Sequence, residues 1–467
     1  MWEGSSFLKM GRARGMTMER ANTFIGGPSI PEEVELKDEI IIIVDPFSTG
    51  AHLAAEVCKQ GYRCARVFSV WDSPVATLVQ KGLKIDFCAT LQFNDRVEHS
   101  IALEEVMQSY CWSLNIYLFA PLTPLPTRFV LQCLNSIKEL PYPVRAILPG
   151  AETGVELADQ LAFGMKLRTN GLEKSLARRN KYHMGESVRN AGVRAVTQAM
   201  CVTEEEVKAF VRSLPGNNSR SVVKPVQSAG SDDVFLCADE AEALTAFNRI
   251  IGTMNGIGLS NTCVLVQEYL KGKEYVVDKV SRDGEHKLVG IWEYEKRSVN
   301  GSNFVYFGMR LMSPDSEKMQ CMVRYADKVL DALDIKHGPS HMEVMLDNWG
   351  TPEAPEWVPC LVEVGARCQG GEGTWLPMAK ECIGFTPVSQ CCFSFSLLSV
   401  FSHAGMRRGV TNMSSTHFIF IFFCFFCLIL SLRLNIILGG GDPRRLPGGY
   451  IVEVPAEEHL SQAQGRA

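Results

Sequence analysis

The run Ile40-Ile41-Ile42-Ile43-Val44 constrains the fold of this chain more than any other stretch. Five consecutive β-branched residues with no polar alternation form a strand covered on both faces, as in a parallel sheet. The turn DPFSTG follows, then AHLAAEVCKQGY as a helix that stops at Gly61, then CARVFSV as a second strand. This β-α-β order opens an α/β domain built on an open parallel sheet. The turn carries no GxGxxG, which argues against a dinucleotide site. Further on, VRAILPGAETGVELADQLAFGM reads again as strand, glycine turn and helix.

The pattern then changes. Residues 174–200, with the basic stretch LARRNKYHMGESVRNAGVR, read as helix leading into a turn. SVVKPV, CVLVQEYL, EYVVDKVS, HKLVGIWEYEK, HMEVMLD and CLVEVG read as strands. VFLCADEAEALTAFNRII is a strand and a helix, and MQCMVRYADKVLDALDI is an amphipathic helix. The fold class is therefore an α/β front domain followed by an α+β domain. The expected division is a disordered leader (1–37), the front domain (38–173), the α+β domain (174–390) and an irregular apolar tail (391–467).

Two stretches do not fit. Residues 111–132 hold three prolines and one charge, Arg128, as in a buried loop or an insertion foreign to the fold. Residues 391–438 contain no Asp, Glu or Lys, and their most apolar run, 418–432, is fifteen residues long. A membrane span needs about 20, and Arg433 cuts this run short, so a membrane association is not expected. The abrupt loss of periodicity resembles translated non-coding sequence.

Composition narrows the function. With 46% hydrophobic and 21% charged residues the chain is globular, and its formal net charge of −5 argues against nucleic acid as a partner. Sixteen cysteines are scattered, and the pair Cys424 and Cys427 lacks the second half of a zinc site. The N-terminus has no apolar signal core. Reduced cysteines and a cytoplasmic location are the expectation. Oligomeric state is not legible.

The chemistry concentrates in a few places. In LVEVGARCQGG, residues 361–371, the strand acid Glu363 is followed by Arg367 and by Gly370-Gly371. A buried carboxylate needs a positive partner. It is either a structural ion pair of Glu363 with Arg367 or a metal carboxylate beside a cation that meets an anionic substrate. Lys181 precedes a helix, and Lys224 ends the strand VVKP. Ser228, Ala229, Gly230 and Ser231 form a small-residue loop whose N–H groups approach phosphates closely. In VQEYLKGKEYVVD a strand edge offers main-chain groups to a purine, and Glu274 can accept from ribose hydroxyls. Glu343 and Glu363 are single carboxylates on two strands. Each feature has a plainer alternative: a solvated lysine, an ordinary loop, an exposed acid. Their order is the signal, because lysines reach phosphates and magnesium takes few carboxylates plus phosphate oxygens.

In that order, RRNKYHM, VVKPVQSAGSDDV, VQEYLKGKEYVVD, HGPSHMEV and VEVGARCQGGEG resemble the ATP-grasp superfamily over roughly residues 38–390. Within it the likeness is to amino-acid and dipeptide ligases, carnosine-synthase-like and bacterial L-amino-acid-ligase-like. The resemblance implies ATP and Mg2+ as cofactors, with Mn2+ able to substitute. It implies phosphate contacts from Lys181 and Lys224, adenine contacts from Gln267, Glu268 and Leu270, and ribose contact from Glu274. Glu343 and Glu363 would hold the metal, and Arg367 would meet the acyl phosphate. Two departures are plain, and one is that the apolar tail stands where the family continues past GFTPV with a further α/β lobe. Glu363-Val364-Gly365 stands where many relatives have Glu-x-Asn, so one ligand is missing. The implied function is an ATP-dependent carboxylate–amine ligase acting on small molecules of amino-acid type. The alternatives are an inactive or truncated ATP-binding protein and a carboxylase or purine-pathway ligase.

Overall fold

A computed structural model describes residues 36–69, 83, 85–91, 128–215, 220–256, 259–299 and 302–395. The apolar run 418–432 and most of the 111–132 stretch lie outside these residues. Among the described residues no helix is long and apolar enough to cross a membrane.

Strand β1 (Ile40–Val44) is fully buried and lies parallel to both β2 (Arg63–Val67) and β4 (Val144–Pro149). With β3 (Phe87–Leu91) they form a parallel sheet of order β3-β2-β1-β4. The side chains of β1 alternate between two cores. Ile40, Ile42 and Val44 pack with Cys133 and Leu134 of α2 (Arg128–Lys138) and with Leu157 and Leu161 of α3 (Val155–Gly164). Ile41 and Ile43 face Leu53, Ala54 and Val57 of α1 (Thr49–Lys59). Burying each of these side chains stabilises the fold by about 1.5–3 kcal/mol, which is why an unalternating strand ends up sandwiched.

The helix expected over 174–200 is shorter than expected. After a single 3-10 turn, α4 runs only from Lys181 to Asn190. Asn180 caps it by accepting from the Tyr182 and His183 N–H groups. Gly192, at φ +72°, turns the chain out of the helix, and β5 (Gln198–Cys201) follows.

Strand β5 joins β6 (Ser221–Pro225), β7 (Phe235–Cys237) and β8 (Val264–Glu268) in an antiparallel sheet of order β5-β8-β6-β7. One face is covered by α5 (Glu204–Ser213) and α6 (Glu240–Ile250). A second antiparallel sheet has the order β11-β10-β9-β12-β13. Its strands are β9 (Lys273–Arg282), β10 (Glu285–Val299), β11 (Ser302–Leu311), β12 (Gly338–Asn348) and β13 (Trp357–Gly365). Tyr275, Val277, Met342 and Val344 pack on α7 (Glu317–Ala332). On the opposite face Val276, Trp292 and Tyr294 share a core with Ile41 and Ile43 of the front sheet. That core also takes in Leu376 of α8 (Leu376–Ile383) and Val388, Cys391 and Cys392 of α9 (Pro387–Phe395), so α9 runs past residue 390.

Candidate active site

Pairing register places the two strand acids. Glu343 on β12 lies directly opposite Glu363 on β13. Like charges so opposed repel, and cations surround them. Lys181 Nζ lies 3.1 Å from Glu363 Oε1, and Lys296 Nζ lies 2.5 Å from Glu274 and 3.8 Å from Glu343. The Tyr306 hydroxyl donates to Glu343 at 3.3 Å. The expected partner of Glu363, Arg367, is elsewhere: its Nε is 2.7 Å from Glu152 of the front domain. The sequence alternative of a Glu363–Arg367 pair is thus replaced by Lys181–Glu363 and Glu152–Arg367.

Glu274 lies on the carboxylate face, with Lys296 and Glu343 as its partners. Burial and the Glu343 carboxylate together push Glu274 up to about 7, so one member of this pair resists ionisation. Burial also works against the charge on Glu343, but Lys296 and His341 outweigh it and hold that carboxyl below the usual range.

His341 is a buried cation. Its Nδ1 is 2.9 Å from Asp278, whose other oxygen accepts from the Trp292 indole. Burial alone would lower the imidazole, yet the Asp278 hydrogen bond prevails and lifts it to about 9.

The four-stranded sheet presents the facing wall. Lys224 pairs in register with Leu265, and Val222 with Gln267, so Lys224 and Gln267 share one face. Lys224 is 4% exposed and has no ion-pair partner within 4 Å among the described residues. Burial, then the nearby Lys181, push its ammonium down to about 8. Lys181 Nζ also donates to the Ser228 carbonyl at 2.9 Å, tying the loop to the carboxylate face. That loop has left-handed backbone at Gly230 (φ +70°) and Ser231 (φ +61°). Ser228 is buried, Ala229 half-buried, and Gly230 and Ser231 exposed. The Glu268 carboxylate accepts from the Thr197 N–H at 2.8 Å, so it is occupied within the sheet, and Leu270 is half-buried just beyond β8.

Glu152 escaped the sequence reading. It is 7% exposed, bound to Arg179 Nη1 at 2.8 Å and to Arg367, and so joins the front domain to Arg179, two residues before Lys181. Burial opposes its charge, but Arg367 and Arg179 bring it down to about 2. Its position explains the missing asparagine. A Cβ on Gly365 would stand 2.9 Å from Glu152 Oε2 and 3.1 Å from Arg367 Cζ. A side chain there would crowd the Glu152–Arg367 pair and force it to shift.

Lys181 and Lys224 thus lie near the Glu343 and Glu363 carboxylates, with the 228–231 loop tied to them through Lys181. Comparison with known proteins identifies the family. The ATP-grasp domain model matches residues 218–371. Dapdiamide A synthase of Enterobacter agglomerans is 32% identical over 355 residues, covering 75% of this chain and 72% of that protein. The L-amino acid ligase of Bacillus licheniformis superposes with a TM-score of 0.52 at 17% identity, over 78% of this chain and 75% of that one. The biotin carboxylase domain of Hydrogenobacter thermophilus 2-oxoglutarate carboxylase gives 0.52 at 13% identity, over 76% and 69%. At such identities these two likenesses speak to fold. The chain belongs to the ATP-grasp family. It is an ATP-dependent ligase that joins a carboxylate to an amine.

Proposed function

We propose that the chain joins two small molecules of amino-acid type by way of an acyl phosphate, with the residues described above in defined roles. The observation that carries this is Lys224, a buried ammonium near the Glu363 and Glu343 carboxylates yet with no ion-pair partner within 4 Å among the described residues. Leaving a buried charge unpaired is costly, and nucleotide phosphates are the partner that this cleft can admit. Lys181 and Lys224 bind the phosphates from two sides, and the 228–231 loop closes over them with its N–H groups. The strand end at 267–270 takes the adenine.

Glu343 and Glu363 suit a magnesium ion. They face each other across one strand pair, and among the described residues no three His, Cys, Asp or Glu side chains form a metal cage of their own. Two carboxylates with room for phosphate oxygens is the set that magnesium prefers. The ion would supply charge neutralisation for phosphoryl transfer. Glu274 and Lys296 belong to the same face, as an acid and a cation that set its charge.

A carboxylate oxygen of the first substrate attacks the γ-phosphorus of ATP, and ADP leaves. The amine nitrogen of the second attacks the acyl carbon, and phosphate leaves. Arg367 is fixed by Glu152 beside this path, where it can grip oxygens that carry the transferred charge. Positioning and electrostatics do the catalytic work. The amino-acid character of the substrates is supported by the relationship to dapdiamide A synthase. Titration calorimetry with ADP and magnesium tests the nucleotide site, and phosphate release screened over amino-acid pairs tests the ligation. Absence of ADP binding would defeat the proposal.

A further inference from the structure

Three side chains behind the 267–270 segment form a one-way chain of hydrogen bonds. Gln198 on β5 lies directly opposite Gln267 on β8. Gln198 Nε2 donates to the Glu186 carboxylate at 3.0 Å and to the Tyr182 carbonyl at 2.8 Å, both on α4. Gln267 Nε2 donates to Gln198 Oε1 at 3.0 Å. A carboxylate and a peptide carbonyl can only accept. They therefore force the amino end of Gln198 toward α4 and its oxygen toward Gln267. That oxygen in turn takes the amino end of Gln267. The end of Gln267 left for a ligand is its carbonyl oxygen, an acceptor.

Gln267 is 5% exposed and shares its sheet face with Lys224. We infer that Glu186 and Gln198 are positioning residues that decide which purine the cleft accepts, by locking Gln267 so that it offers an acceptor to the base. This rests on the reading of 267–270 as the base-binding segment. Adenine carries an amino donor where guanine carries a carbonyl acceptor. An acceptor facing guanine would leave two buried oxygens unpaired, and sites that do this discriminate strongly. The space is shaped for the lock as well. A Cβ on Gly185 of α4 would stand 2.4 Å from Gln198 Nε2, so glycine keeps the amide in place.

The test compares ADP and GDP affinity by calorimetry, with folding followed by circular dichroism. The wild-type chain should prefer ADP by about a hundredfold or more. Gln198→Met, similar in volume but unable to hold the Gln267 amide, should cut that preference about tenfold. Gly185→Ala, which displaces the amide while favouring helix, should cut it in the same direction. Because Gln198 acts through Gln267, Gln198→Met should change nothing further in a Gln267→Met background. A folded Gln198→Met or Gly185→Ala chain with the wild-type preference would overturn the inference. So would an equal affinity of the wild-type chain for the two nucleotides, or a further loss in the Gln267→Met background. A wild-type chain that binds neither nucleotide would instead overturn the nucleotide reading on which the inference stands.

Discussion

Lys181 Nζ lies 3.1 Å from Glu363 and 2.9 Å from the Ser228 carbonyl, so one ammonium bridges the phosphate-side loop and the carboxylate wall. The helix start places it there, since Lys181 is the first residue after the Asn180 cap. Removing Glu363 frees this ammonium and takes away half of the opposed carboxylate pair. Glu363→Gln should therefore abolish magnesium-dependent turnover while circular dichroism shows an intact fold. Full magnesium-dependent ATP hydrolysis by this variant would place the ion elsewhere.

Lys224 should set both the strength and the pH dependence of nucleotide binding. Lys224→Ala should weaken ATP binding by about 1.5–3 kcal/mol, the loss of a hydrogen bond to a charged group. Its ammonium is held down to about 8 from 10.5. Below about 8 the free protein carries the charge that phosphates need. Above it, binding must take up a proton, so affinity should fall as pH rises from about 8, and Lys224→Arg should flatten that fall. Calorimetry across this range, in buffers of different ionisation enthalpy, reads both effects. A wild-type profile that stays flat while Lys224→Ala still loses affinity would contradict the proton uptake.

Arg367 and Glu152 should separate chemistry from stability. Lysine cannot reproduce the guanidinium fork. Arg367→Lys should bind ADP almost normally and turn over about a hundred- to a thousandfold more slowly, as for the loss of about 2.7–4 kcal/mol of transition-state stabilisation. Glu152→Gln leaves the buried Arg179 and the half-buried Arg367 without their anion and should destabilise the fold by about 3–5 kcal/mol, read as a lower denaturation midpoint. A destabilised but fully active Arg367→Lys would reduce that residue to a strut between domains.

His341 gives the fold a pH dependence of its own. The native imidazole titrates at about 9, above its ordinary 6.5. A raised value contributes stability that is full below about 6.5 and is lost as pH rises through about 9. Replacing His341 by Gln should remove this decline from the pH–stability curve. A curve with the same slope in both proteins would assign the decline to other groups.

Much of this was legible in the sequence, for physical reasons. An apolar run such as Ile40–Val44 has one low-cost environment, so β1 and its parallel neighbours could be read directly. Lys181, Lys224, Glu343 and Glu363 were singled out because their order along the chain carried a signal that no single residue did, and the fold brings them close together. Glu152, Lys296 and the Asp278–His341 pair were missed, because their partners are set by strand register and by packing between sheets, which leave no local mark. Glu152 did offer a hint. Like Glu363, it is an acid at a glycine turn after a buried strand. The contact of Glu274 with Lys296 was not legible either, because it is made on the second antiparallel sheet, across strands β9 and β10. Helix α2, whose first residues fall in the 111–132 stretch, was obscured by the prolines that precede it.

The most direct test follows oxygen. The chain is incubated with ATP, magnesium and the standard amino acids labelled with 18O in their carboxylates, and the phosphate and amide products are analysed by mass spectrometry. An acyl phosphate leaves one carboxylate oxygen on phosphorus when the amine attacks, so amide, ADP and phosphate carrying one 18O atom should appear together. Unlabelled phosphate without amide, or AMP and pyrophosphate in place of ADP, would contradict the mechanism.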